Sequence, residues 1–155
     1  MSLEKVQSYF EKHHMKERIK VFQQSSATVE LAAQAVGCEP AHIAKTMSFL
    51  QGDNAVLIVT AGDVKIDNPK YKARFHQKAK MIPGDLVESY IGHAPGGVCP
   101  FAIKEGVPVY LDESLKRFET VYPAAGSGNS AIGLSLSELE THSNACGWID
   151  VCKAK

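Results

Sequence analysis

The sequence predicts an α+β domain, and three observations carry that prediction. Short amphipathic helices recur along the chain, and short runs that alternate with period two lie between them. The two best-defined apolar runs, residues 41–50 and 55–60, are joined by Gln51-Gly52-Asp53-Asn54, which reads as the turn of a hairpin. With 155 residues and 45% hydrophobic content, the chain is long enough for a core and short enough for one domain spanning 1–155.

Lys+Arg and Asp+Glu both number 17, so the formal net charge is zero. A nucleic acid would have to be met by a local basic patch. The four cysteines, Cys38, Cys99, Cys146 and Cys152, form no CxxC pair, and no signal sequence is expected. Free thiols in a reducing cytoplasm are expected. A metal site from His142, Cys146 and Cys152 would lack a fourth ligand and matches no familiar zinc spacing, so no metal and no cofactor is expected. No apolar run approaches the roughly 20 residues that cross a bilayer, which argues against a membrane partner.

Taken in order, Ser2 opens an amphipathic helix carrying Leu3, Val6, Phe10 and Met15, and His13-His14 ends it in solvent. Residues 19–23 alternate as a strand. Ser25-Ser26-Ala27-Thr28 offers caps for a helix over residues 29–36 that Gly37 terminates. Cys38-Glu39-Pro40-Ala41 makes a helical turn that leads into the hairpin. Lys45 falls at the start of the first hairpin strand, sharing a face with Met47 and Phe49, while Thr46, Ser48 and Leu50 take the other. A lysine there either snorkels to the sheet edge or points its ammonium into a cavity where an anion or a carbonyl meets it.

The segment 65–80 concentrates positive charge, with Lys65, Lys70, Lys72, Arg74, Lys78 and Lys80 against Asp67 alone. Asn68-Pro69 starts a helix that Tyr71 and Phe75 anchor, and its basic residues form either a solvated face or the footprint of a polyanion. A further short helix carries Leu86, Val87 and Tyr90 up to Gly92. Then comes a loop of two prolines and three glycines, Gly92-His93-Ala94-Pro95-Gly96-Gly97-Val98-Cys99-Pro100-Phe101. Its backbone has an unusual shape and can present bare N–H groups to a carbonyl or oxyanion, although an ordinary tight connection reads the same way. Strands follow at 107–111, 120–122 and 131–136. Ser135 or Ser137 caps a last helix, and residues 148–151 close as a strand.

Lys45 within Ile43-Ala44-Lys45-Thr46, the helix before it, and the Gly96-Gly97-Val98-Cys99-Pro100 loop, which fits G-x-x-x-P, together resemble the YbaK family of aminoacyl-tRNA deacylases. That family is related to the editing insertion of bacterial prolyl-tRNA synthetase. The resemblance covers nearly the whole chain. It implies a mixed, mostly antiparallel, curved and barrel-like sheet flanked by helices. It further implies hydrolysis of the ester of a mischarged tRNA, with tRNA for proline as the expected partner and an aminoacyl-tRNA synthetase as a second partner; a monomer is the default expectation for the oligomeric state.

In that family the lysine matching Lys45 is essential, and the loop matching Gly96, Gly97, Val98, Cys99 and Pro100 holds the aminoacyl group. The resemblance adds Thr46 and His93 to the binding residues. A serine and an aspartate of some relatives fall here on Gly126 and Gly133, which leaves Gly126 with the adjacent Ser127 as the expected contacts. The nucleic-acid contacts expected are Lys65, Lys70, Lys72, Arg74 and Lys78. The chemistry asks for little more, because an aminoacyl ester is already activated and needs placing, polarising and a water. Lys45 is expected to act as an ammonium rather than as a general base, which would require deep desolvation. A non-catalytic tRNA or aminoacyl-nucleotide binding module and a thiol hydrolase using Cys99 beside His93 are the competing readings.

Overall fold

The computed structural model describes residues 2–155. A long hairpin is its centre. Strand β2 (Ile43–Gln51) turns through Gly52 and Asp53 into β3 (Asn54–Ala61), and the two pair from Ala44↔Ala61 to Gln51↔Asn54. Gly52 adopts a left-handed φ of 65°, which the tight turn requires and a Cβ would resist.

Before the hairpin lie α1 (Ser2–Glu11), β1 (Ile19–Val21) and α2 (Val29–Val36); after it come β4 (Val64–Ile66), α3 (Asn68–Phe75) and α4 (Gly84–Ile91). The second half supplies β5 (Val109–Asp112), β6 (Thr120–Pro123), β7 (Ser130–Ile132), β8 (Leu134–Ser135), α5 (Leu136–Ser143), β9 (Gly147–Ile149) and β10 (Cys152–Ala154). Six strands form one curled sheet in the order β8-β6-β2-β3-β5-β9. Within it β2/β3 and β6/β8 are antiparallel, while β2/β6, β3/β5 and β5/β9 are parallel. The ribbons β1–β7 and β4–β10 are antiparallel as well.

Residues 55–61 of β3 are all buried, so this strand has helices over both faces, and its unbroken apolar run follows from that. Leu57, Val59 and Ala61 join Val6 and Phe10 of α1, Val87 and Ile91 of α4, and Leu139 of α5 in the main core. On the opposite face Phe49, Val56 and Ile58 pack with Tyr71 of α3, and Ile43 packs with Val29, Ala32 and Ala33 of α2. Helix starts follow their caps. Thr28 accepts the Leu31 N–H (3.2 Å), Asp67 accepts that of Lys70 (3.2 Å), and Gly37 closes α2 with φ 86°.

The structure departs from the sequence reading in places. Residues 131–136 form two strands rather than one, because at Gly133 the chain passes from the ribbon with β1 to the main sheet under the Tyr122 ring. A Cβ on Gly133 would stand 2.9 Å from that ring. Residues 148–151 are likewise broken at Asp150, and β10, unexpected from the sequence, pairs with β4. Met15 is buried as anticipated, but in the turn after α1, where its N–H bonds to the Phe10 carbonyl (2.8 Å).

Candidate active site

A cleft of roughly 650 Å³ opens where the outer edge of β2 loses its partner. Strand β6 pairs with β2 only at Ile43 and Ala44. Further along, the Ile82 N–H bonds to the Ser48 carbonyl (3.1 Å) and the Leu50 N–H to the Lys80 carbonyl (2.8 Å). Even-numbered residues of β2 therefore turn their peptide groups away from β3, by the alternation of an antiparallel pair. Thr46 sits in the gap between the two partners, so its backbone N–H and C=O face the cleft.

The walls come from five parts of the chain. The linker before α2 brings Ser26, Ala27 and Thr28; α2 brings Val29 and Glu30; β2 brings residues 43–48; Met81, Ile82 and α4 residues Gly84 and Val87 form another side; Pro95, Gly96 and Val98 close over it. Ser130, Ala131, Tyr122 and Ala124 complete the floor, and Lys155 reaches its rim. The chamber is largely apolar with hydroxyls set into it. The oxygens of Ser26 and Thr46 are buried with no hydrogen-bond partner among the described residues. Lys45 is solvent-exposed and makes no ion pair among the described residues. A lone ammonium beside an apolar chamber, next to a glycine loop, suits an anion or a polarised carbonyl.

Of the residues singled out from the sequence, the cleft collects Lys45, Thr46, Gly96 and Val98. His93, Gly97, Cys99 and Pro100 lie in the packing under the loop. His93 is fully buried, its Nε2 donates to the Phe101 carbonyl (2.7 Å), and burial lowers its basicity below the usual histidine value. Cys99 Sγ lies 3.5 Å from that Nε2, but complete burial pushes the thiol up to about 12. That is the opposite of an activated nucleophile.

Gly97 gives its N–H to the Ala94 carbonyl (3.0 Å), and a Cβ there would stand 2.7 Å from Ser127 Cα. Gly126, with φ 98°, presses against the Ser2 carbonyl at the start of α1. Ser127 Oγ lies 2.8 Å from Asn129 Oδ1 and 2.7 Å from Ser130 Oγ, so it braces Ser130, which lines the cleft.

The basic residues separate. Lys70 Nζ donates to Asp150 Oδ1 (3.0 Å) and the Cys152 carbonyl (2.9 Å), and the Arg74 guanidinium stacks 5.0 Å over Phe75 and 5.3 Å over Tyr110. Lys72 and Lys78 are exposed near α3, and Lys65 is exposed on β4. Sequence reasoning missed Ser26, Met81, Val87 and Lys155 as cleft residues. Ser26 read only as a cap, and nothing local marks the others, because tertiary contact alone brings them together.

An open-edged strand carrying an unpaired lysine, faced by a glycine-proline loop over an apolar chamber, can be compared with known proteins. The model of the aminoacyl-tRNA editing domain matches residues 23–141, which include every wall of the cleft except Lys155. The chain belongs to the aminoacyl-tRNA editing domain family. The uncharacterised protein YwhH of Bacillus subtilis (strain 168) is 49% identical over 154 residues, covering 99% of this chain and 98% of YwhH. Proline–tRNA ligase of the same organism is 26% identical over 112 residues, which is 72% of this chain and 19% of the ligase. Among solved structures, a candidate trans-editing enzyme for prolyl-tRNA synthetase superposes with a TM-score of 0.87 at 28% identity, covering 99% of this chain and 98% of that one. The editing-domain fold thus extends over nearly the full length of the chain, helices and curled mixed sheet included.

Proposed function

We propose that the protein is a free-standing deacylase that hydrolyses the ester of a mischarged tRNA, with tRNA for proline as its carrier. Family membership supports the reaction class, and the likeness to a ligase for proline and to a candidate trans-editing enzyme supports the tRNA. The single observation that carries the reading is Lys45, an ammonium without an ionic partner among the described residues, at the wall of a largely apolar cleft of roughly 650 Å³.

In this reading Lys45 Nζ binds the terminal phosphate or the ester oxygens. The loop has Gly97 N–H committed to Ala94 and no N–H on Pro95 or Pro100, so the amides of Gly96 and Val98 are its donors to the carbonyl oxygen, with the Thr46 N–H on the opposite wall. Water attacks the ester carbon, the C–O bond to the ribose breaks, and the ribose oxygen takes a proton. No enzyme nucleophile is required. The buried Cys99 thiol, pushed up to about 12, does not support a thiol hydrolase.

The test is deacylation of tRNA for proline charged in turn with alanine, serine, threonine, cysteine and proline, with Lys45→Ala alongside. Release of one or two amino acids by the wild type, reduced at least a hundredfold in the variant, is the expected outcome, a loss in the range seen for removing one donor of this kind. Binding of tRNA without any release would make the protein a binding module.

A further inference from the structure

We propose that Lys65, Lys153 and Lys155, on the outer face of the β4–β10 ribbon, form a track along which the phosphates of a tRNA acceptor end run into the cleft toward Lys45. The register is the starting point. Lys153 lies directly opposite Lys65, and Lys155 follows on the same side of β10 by the two-residue period of a strand. Like charges directly opposite each other destabilise a strand pair.

The lysines cannot turn inward, because the other face of the ribbon, Val64, Ile66 and Cys152, is packed into the core with Phe49 and Tyr71. All three lysines are exposed, and none has an ion pair among the described residues. The acids nearby are already engaged. Asp63 accepts two hydrogen bonds from Arg117 (2.6 and 2.9 Å), Asp150 is paired with Lys70, and Asp67 caps α3. Lys155 also lines the cleft that contains Lys45, so the row is continuous with the site. A run of exposed lysines without ion pairs among the described residues, ending at a chamber of roughly 650 Å³, suits the single-stranded end of a polyanion.

This inference relies on the editing reading for the identity of its partner, but its readout is binding and needs no turnover. Uncharged tRNA for proline would be titrated by fluorescence anisotropy over a series of salt concentrations. The proteins compared are the wild type, the pair Lys65→Ala with Lys153→Ala, the pair Lys65→Arg with Lys153→Arg, and Lys12→Ala, in the turn after α1, as a control outside the ribbon.

The alanine pair is expected to weaken binding by about three- to tenfold and to make the log–log salt slope shallower by about two, whereas the arginine pair and Lys12→Ala bind like the wild type. The melting temperature of the alanine pair should be equal or higher, since a repulsion has been removed, which separates a lost contact from a damaged fold. Unchanged affinity and slope in the alanine pair, or an equal loss in Lys12→Ala, overturns the track. Lysine-dependent binding with no deacylation of any charged tRNA keeps the track and rejects the deacylase.

Discussion

Thr60 stands opposite Lys45 across the β2–β3 ladder, 1% exposed, with no hydrogen-bond partner for its Oγ1 among the described residues. A buried hydroxyl without a partner costs about 1–3 kcal/mol, and valine has the same shape without the polar atom. Thr60→Val is therefore expected to stabilise the fold by about 1 kcal/mol, read as a higher denaturant midpoint with an unchanged slope. A lower midpoint would mean that the hydroxyl has a partner. Thr46 and Ser26 present the same unsatisfied atom but line the cleft, so theirs is a site feature rather than a defect of the core.

At the scale of the element, α5 is the clearest case of local chemistry coupled to distant packing. Ser135 and Glu138 form a capping box: Ser135 Oγ accepts the Glu138 N–H (3.2 Å) and Glu138 Oε1 accepts the Ser135 N–H (2.9 Å). Arg18, just before β1, then grips the same carboxylate at 2.8 and 2.9 Å. The Arg18 hydrogen bond, followed by the cap, lowers the Glu138 carboxyl to about 2. A lowered carboxylate contributes stability that is fully present above its ordinary value of 4.5 and lost as pH falls from there through about 2. Both side chains are a third or more exposed, so solvent screening keeps the contribution modest. Glu138→Gln should lie below the wild type in denaturant midpoint at pH 7, and the two curves should converge as pH approaches 2. Curves that stay parallel down to that pH would show that the carboxylate charge is not what α5 uses.

The cleft exists only in the whole molecule, because two glycine loops from different parts of the chain lock together above α1. Gly97 meets the Ser127 backbone, and Gly126 meets the Ser2 carbonyl and Val6. Neither contact leaves room for a Cβ. Gly97→Ala should destabilise the fold by about 1–3 kcal/mol and lower deacylation through a displaced Gly96 and Val98, seen together as a reduced melting temperature and a reduced kcat. Full activity with an unchanged melting temperature would show that the loops can separate without consequence for the site.

Much of this architecture is written in local residue chemistry. The hairpin turn at Gly52, the Thr28 and Gly37 limits of α2, the Asp67-Asn68-Pro69 start of α3 and the Ser135 cap all depend on neighbours a few residues apart, and such signals survive in any tertiary context. The face alternation that set Met47 and Phe49 together also followed from the strand period, and both pack in the second core cluster. What local chemistry does not encode is which loops meet. Strand β10 was invisible because Cys152-Lys153-Ala154 has no pattern of its own and becomes a strand only by pairing with β4. The charge run at 65–80 read as either a solvated face or one footprint, and its local sequence does not show that Asp150 and Tyr110, distant in sequence, occupy Lys70 and Arg74 and that Lys65 faces Lys153. The sequence by itself determined the helices with their caps, the central hairpin and the lysine and glycine-loop signature. Only the tertiary structure decided that His93 and Cys99 are buried while Gly96 and Val98 reach the cleft, because burial and charge pairing are sums over neighbours that the chain brings together by folding.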